Sequence, residues 1–193
     1  MKAGLTKDII LKTAARMADK NGIASITLKS LAEELGVKSP SLYKHINGVL
    51  EELNRELMLY GWRTLENELI RSAVGKEKDN AILSICHTYR DFVLNHHGMY
   101  EAMQWYNMYD SDEDLKATEA IVSVLFQVLE SYGLTEEQKV HIVRTLRGFL
   151  HGFTAIESHD SFGNPVPLSE TFDVALKIIL NGINDLQTGG IAK

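Results

Sequence analysis

The sequence predicts an all-α protein in two parts, a three-helix helix-turn-helix module over residues 1–48 and a larger helical domain over residues 49–193. Three observations predict it. Apolar residues recur at the three- and four-residue spacing of amphipathic helices along nearly the whole chain, and no segment alternates as a half-buried strand does. Three short helix signatures, each with a cap or a breaker, crowd into the first 48 residues. The charge divides the same way. Residues 1–46 hold eight Lys/Arg against four Asp/Glu, a net of +4, so the remainder carries −10 of the total of −6. A basic head on an acidic body lets one end approach phosphate while the other is repelled by it.

In chain order, Thr6 is the candidate N-cap of the first helix, whose Ile10, Ala14, Met17 and Ala18 share one face until Asn21-Gly22 ends it. The stretch from Ile23 to Thr27 crosses over. Thr27 then caps a second helix with Leu28, Leu31, Ala32 and Leu35 on one side, stopped by Gly36. A third helix opens at Ser39-Pro40, with proline at the first helical position, where its missing N–H costs nothing, and stops near Asn47-Gly48. Beyond it the periodicity predicts helices near 49–73, 79–96, 98–106, 112–132, 135–157 and 168–186. The last two carry broad apolar stripes, Ile142, Leu146, Phe149, Leu150 and Phe153 on one, Phe172, Leu176, Ile179, Leu180 and Ile183 on the other. A turn-rich loop from Ser158 to Pro167 joins them.

Composition narrows the function classes. With 45% hydrophobic and 24% charged residues and three prolines the chain reads as globular. No run approaches the roughly 18 apolar residues of a membrane span, and no apolar signal segment opens the chain, so a cytoplasmic protein without membrane partners is expected. Cys86 is the single cysteine, which removes an internal disulfide framework and any cysteine-rich zinc site. Glu-x-x-His pairs, Gly-x-Ser-x-Gly and phosphate-loop patterns are missing from the sequence, so no enzyme, cofactor or metal is expected. The adjacent His96-His97 cannot place both rings on one helical face, and the acids from Asp110 to Asp114 read as a favourably charged helix start.

A helix in the major groove reads base edges with side chains near its N-terminus while hydroxyls and lysines hold phosphates. Residues 38–45, Lys-Ser-Pro-Ser-Leu-Tyr-Lys-His, supply those types, with Leu42 expected in the core. The stretch from Ile26 to Ile46, Ile-Thr-Leu-Lys-Ser-Leu-Ala-Glu-Glu-Leu-Gly-Val-Lys-Ser-Pro-Ser-Leu-Tyr-Lys-His-Ile, resembles the DNA-binding signature of the tetracycline-repressor (TetR) family. The resemblance implies a mostly helical homodimer, usually a repressor released from a palindromic double-stranded DNA operator by a small molecule. It places Lys29 at a base- or phosphate-contacting position, Thr27 at a phosphate-contacting cap, Ser39, Pro40, Ser41, Lys44 and His45 on the recognition helix, and Tyr43 at that helix's phosphate-contacting tyrosine; Lys38 adds a base at its start. One position departs from the pattern. Val49 stands where the family commonly has a phosphate-contacting lysine, a loss that weakens binding without touching base specificity.

From Arg144 to Pro167 the chain is similar to a C-terminal subgroup named for a Trp, His and Gly signature; His151-Gly152 is present and the upstream tryptophan is not. The resemblance implies that the last two long helices pair with their copies across a two-fold axis, burying the stripes at 142–153 and 172–183, with Gly148 and Gly152 allowing close approach. A pocket for the unknown effector should be apolar with a few polar groups. Trp62, Tyr89, Phe92, Met99, Met103, Trp105, Tyr106 and Phe126 are the candidate walls, the segment from Met99 to Tyr109 being richest, and His87, Gln104 and His151 are the polar candidates. The competing reading is a helical interaction protein that keeps the head's fold and has lost productive DNA binding.

Overall fold

A computed structural model describes residues 4–46, 50–105 and 112–188, the side chains of residues 105, 113–115, 117 and 118 excepted. Every regular element among the described residues is helical: α1 (Lys7–Asn21), α2 (Leu28–Leu35), α3 (Leu50–Ala73), α4 (Lys78–Asn95), α5 (His97–Trp105), α6 (Asp112–Leu129), α7 (Glu136–Ser158) and α8 (Leu168–Gln187), with 3-10 turns at Ile23–Ser25, Ser39–Ser41 and Glu130–Tyr132. The chain forms two compact units, Met1–Leu65 with Asn95–Thr118, and Glu66–Leu94 with Glu119–Lys193.

In the first unit the helix ends follow the capping chemistry of the sequence. Thr6 Oγ1 accepts from the Ile9 N–H at 3.3 Å. Thr27 and Ser30 cap reciprocally, Thr27 Oγ1 accepting from the Ser30 N–H at 3.0 Å and Ser30 Oγ from the Thr27 N–H at 2.9 Å. Gly36 ends α2 at φ 66°, a left-handed conformation that costs a residue without Cβ little. The unit's core is built from Ile10, Ala14 and Ala18 of α1, Leu31 and Ala32 of α2, Leu53, Leu57 and Leu65 of α3, and Met99 and Met103 of α5.

The third helix read from Ser39-Pro40 is a tighter object than expected. Its amides reach back three residues, Ser41 N–H to Lys38 O at 2.8 Å and Leu42 N–H to Ser39 O at 3.0 Å. A four-residue bond closes at Ile46 N–H to Leu42 O, 3.1 Å. The segment therefore starts as a 3-10 turn, with Pro40 where its missing N–H costs no hydrogen bond. Asn47, Gly48 and Val49, where the helix was expected to stop and the missing lysine was noted, lie outside the described residues.

In the second unit α7 and α8 pack through an aromatic cluster, with Phe172 at 5.4 Å from Phe149 and 5.1 Å from Phe153 between ring centroids. Arg90 of α4 crosses to Glu157 of α7 through two hydrogen bonds, Nε to Oε2 at 2.8 Å and a second from Nη2 to Oε1, and its guanidinium lies 5.1 Å from the Phe172 ring centroid. Asp79 accepts from the Tyr132 hydroxyl at 2.5 Å and from Asn184 Nδ2 at 3.2 Å, tying α4 to the turn after α6 and to α8. Of the stripes expected to pair across a two-fold axis, Ile142, Leu146, Leu150, Phe153, Phe172, Leu176, Leu180 and Ile183 are already buried within the chain, and Phe149 and Ile179 are half-buried. The exposed large apolar side chains on these helices are Ile156, Val174 and Ile178.

Candidate nucleic-acid interface

The recognition segment is held from below by two buried side chains, Leu42 and Ile46, which leave Lys38, Pro40, Tyr43 and Lys44 exposed and Ser39, Ser41 and His45 half-buried on the opposite side. Tyr43 is 49% exposed although it is one of the largest side chains in the head. Thr27 and Lys29, at the N-terminal end of α2, are exposed as well. The Thr27 hydroxyl is an acceptor in the capping box and donates to Ser30 Oγ at 3.1 Å.

Ion pairing sorts the basic side chains of the head. Lys7 of α1 pairs with the buried Glu56 of α3 at 2.5 Å. Lys12 pairs with Asp8 at 2.9 Å, one turn earlier on the same helix, and the hydrogen bond to that carboxylate raises the pKa of the ammonium. Arg16 pairs with Glu34 of α2 at 3.0 Å. Among the described residues no acid lies within ion-pairing distance of Lys29, Lys38 or Lys44. Three of the four described basic side chains of α1 are thus paired, Lys20 in its last turn being the exception, while the three lysines at the start of α2 and on the recognition segment are all left open, a side from which an anionic backbone meets little opposition.

The first unit also contains a junction, between α1 and α5, that the sequence did not reveal. Asp19, in the last turn of α1, accepts from the Met99 N–H at 2.9 Å through Oδ1 and meets His96 Nδ1 at 2.9 Å through Oδ2. It thereby caps the first turn of α5 from another helix. Gly98 makes the approach possible: a Cβ there would stand 2.1 Å from Ala18 O and 2.7 Å from the Asp19 nitrogen. The partners are 77 and 80 residues apart in sequence, so no local pattern signals the contact; a glycine among strong helix formers is its only trace.

The candidate effector residues divide between the units. Trp62, Met99 and Met103 are buried in the first, where Met103 and Met99 pack against Gly61 of α3. Gln104 is exposed there. The Trp105 side chain and Tyr106 lie outside what is described. In the second unit Tyr89 and Phe92 are buried on α4 and Phe126 is half-buried on α6. His87 is not enclosed: it faces Asp173 at 3.2 Å and sets its ring edge-on to Phe172 at 5.4 Å. His151 is exposed on α7. A separate open cleft of about 280 Å³, lined by Ile70, Ala73, Val74, Lys76, Glu77, Val124, Gln127, Val128 and Ser131, contains none of the candidates. No described helix is long and apolar enough to cross a membrane.

Comparison with known proteins agrees with this arrangement. Residues 10–45 match the family described as bacterial regulatory proteins, tetR family. Residues 82–179 match the one described as tetracyclin repressor-like, C-terminal domain. The uncharacterized HTH-type transcriptional regulator YobS of Bacillus subtilis is 30% identical over 182 residues, 94% of either chain. Among solved structures, a protein with unknown function from Rhodococcus superimposes with a TM-score of 0.79 at 18% identity, covering 94% of this chain and 96% of that one. A TetR variant from Acinetobacter baumannii in complex with minocycline gives 0.71 at 16% identity, covering 95% and 99%. At such identities the structures speak for the fold, and the sequence matches are to transcription regulators and not to enzymes.

Proposed function

This chain belongs to the TetR family of bacterial transcriptional regulators, and from that premise we propose that it binds a two-fold symmetric DNA operator as a homodimer, represses from it, and is released by a small molecule. Residues 1–48 are the reading head and 49–193 the body. The single observation that carries the reading is the pairing pattern of the head: Lys29, Lys38 and Lys44 all stand without a carboxylate partner among the described residues, while on α1 Lys7, Lys12 and Arg16 are paired and only Lys20, in the last turn, is not. Around the three open lysines lie the exposed Tyr43, the half-buried Ser39, Ser41 and His45, and the exposed Thr27 and Pro40. That set combines phosphate-holding cations and hydroxyls with side chains able to meet base edges.

The proposed dimer forms through α7 and α8. With most of their stripes buried inside the chain, the apolar side chains left for a partner are the exposed Ile156 on α7 and Val174 and Ile178 on α8, together with the half-buried Phe149 and Ile179. Gly148 and Gly152 lie on α7 with no described heavy atom of a neighbouring element within 4 Å of where a Cβ would stand, which permits close helix approach. Two heads on such a dimer meet successive major grooves when their recognition segments are separated by about one helical turn, ~34 Å or a multiple of it.

The effector is held by buried apolar side chains that include Trp62, Met99 and Met103; a structural relative was solved with minocycline. Its binding favours a dimer whose heads no longer match the operator, and by linkage DNA weakens effector binding by the same factor. The protein acts in the cytoplasm, where its operator is. Selection of genomic fragments by the purified chain, followed by a salt titration on the best fragment, tests the reading. A palindromic site with steep salt dependence supports it. Weak, sequence-indifferent binding sinks it and favours a helical interaction protein.

A further inference from the structure

Trp62 carries a donor that no described residue uses. The residue is 7% exposed on the buried face of α3 that it shares with Met58 and Leu65. Its Nε1–H is sealed from solvent, and among the described residues no atom accepts from it. An indole nitrogen is a donor only, so no flip or tautomer satisfies it. Three other buried polar side chains are provided for: Glu56 by Lys7, Lys139 by Glu130 and Glu136, and Thr154 by the Leu150 carbonyl at 2.7 Å. A buried donor left over in such company destabilises the fold that keeps it, which asks for a use.

The surroundings supply a second observation. Gly61, one residue before, faces the side chains of Met103 and Met99, whose atoms lie 2.8 Å and 3.3 Å from where a Cβ at 61 would stand. Two thioether chains therefore fill space that any other residue at 61 would take. Methionine is unbranched, polarizable and able to change rotamer at small cost, so this wall can re-form around an apolar guest.

We propose that the Trp62 indole N–H is the group that recognises the effector, and that the effector carries a neutral carbonyl oxygen on an apolar body that packs against Met99 and Met103. The inference rests on the effector-binding reading above. A carbonyl completes the donor's one hydrogen bond, whereas a carboxylate would have to be buried against a single uncharged N–H.

Matched pairs of probes isolate the carbonyl: 2-acetylnaphthalene with 2-ethylnaphthalene, and benzophenone with diphenylmethane. The full chain, labelled with ¹⁵N, has two tryptophans, and Trp62→Phe assigns the indole signal. At least one ketone is expected to move the Trp62 N–H resonance downfield and to bind about tenfold more tightly than its hydrocarbon, the worth of one neutral hydrogen bond. The preference should vanish in Trp62→Phe and in a variant with benzothienylalanine at position 62, which keeps the ring shape, lacks the N–H and guards against a packing defect in the phenylalanine variant. Equal binding of ketone and hydrocarbon, a ketone preference that survives in both variants, or a Trp62 signal unmoved by either ketone at its solubility limit overturns the proposal. Operator release, followed in parallel, separates the two levels. A hydrocarbon that binds and releases DNA as well as its ketone removes the role of Trp62 and leaves the effector reading intact. A ketone that shifts Trp62 while DNA stays bound removes the effector reading and leaves a carbonyl site.

Discussion

If pairing decides which bases hold DNA, then charge-removing substitutions in the head will fall into two classes that sequence alone would not separate. Lys38→Gln or Lys44→Gln removes a cation with no acid at ion-pairing distance among the described residues, and a dimer loses it twice. Each lost phosphate contact flattens the slope of log affinity against log salt by about 0.9, so one such substitution lowers the slope by about 1.8 per dimer. Between about 50 and 200 mM salt, that is roughly a tenfold smaller loss of affinity than wild type suffers. Lys12→Gln and Arg16→Gln remove equal formal charge, but from pairs with Asp8 at 2.9 Å and Glu34 at 3.0 Å. Exposed pairs of this kind contribute little to stability, so both controls should fold normally. They should leave the slope nearly unchanged. The assay is fluorescence anisotropy of labelled operator at four or more salt concentrations, with circular dichroism to verify folding. A Lys12 or Arg16 variant that flattens the slope as much as the Lys38 variant would refute the reasoning.

Tyr43→Ala should weaken operator binding sharply while leaving the dimer intact by sedimentation, because the side chain is 49% exposed and contributes little to the core; unchanged affinity would remove it from the interface. Gly98→Ala should destabilise the protein by about 3 kcal/mol or prevent folding, since the new methyl would meet the Ala18 carbonyl 2.1 Å away, and backbone yields less than a side chain; urea unfolding within experimental error of wild type would contradict the α1–α5 packing. Burial pushes the Cys86 thiol up from 9.0 to about 12. The folded state therefore keeps its proton where the unfolded chain loses it, and this contribution to stability is full below pH 9.0 and declines as pH rises toward about 12. Iodoacetamide at pH 9.0 should accordingly label Cys86 only as fast as the protein opens, and rapid labelling of native protein would show the thiol is accessible.

Much of the architecture was legible because helices are local objects. Thr6, Thr27 and Gly36 mark ends with chemistry confined to a few neighbouring residues, and the stripes of the last two helices repeat within single segments, so their bounds follow from spacing and capping. The segment after Ser39 was less legible, since proline favours the start of an α-helix and of a 3-10 turn alike, and only the observed three-residue hydrogen bonds distinguish them. The candidate reading residues came from a contiguous motif, which is why their side of the head could be named before any coordinates.

The sequence by itself determined the helical class, the order of the elements and the separation of a basic head from an acidic body, all properties that arise from residues close together in the chain. Only the tertiary structure decided which charges are spent and which are available, because Lys7 meets Glu56 and Arg16 meets Glu34 through helix packing. It also decided that most of the α7 and α8 stripes are buried within the chain, that Asp19 caps a helix through the N–H of Met99, 80 residues away, and that the Trp62 donor is enclosed without a partner among the described residues. Each of these depends on where a side chain points after distant segments meet, and that direction is set by packing rather than by any spacing along the chain.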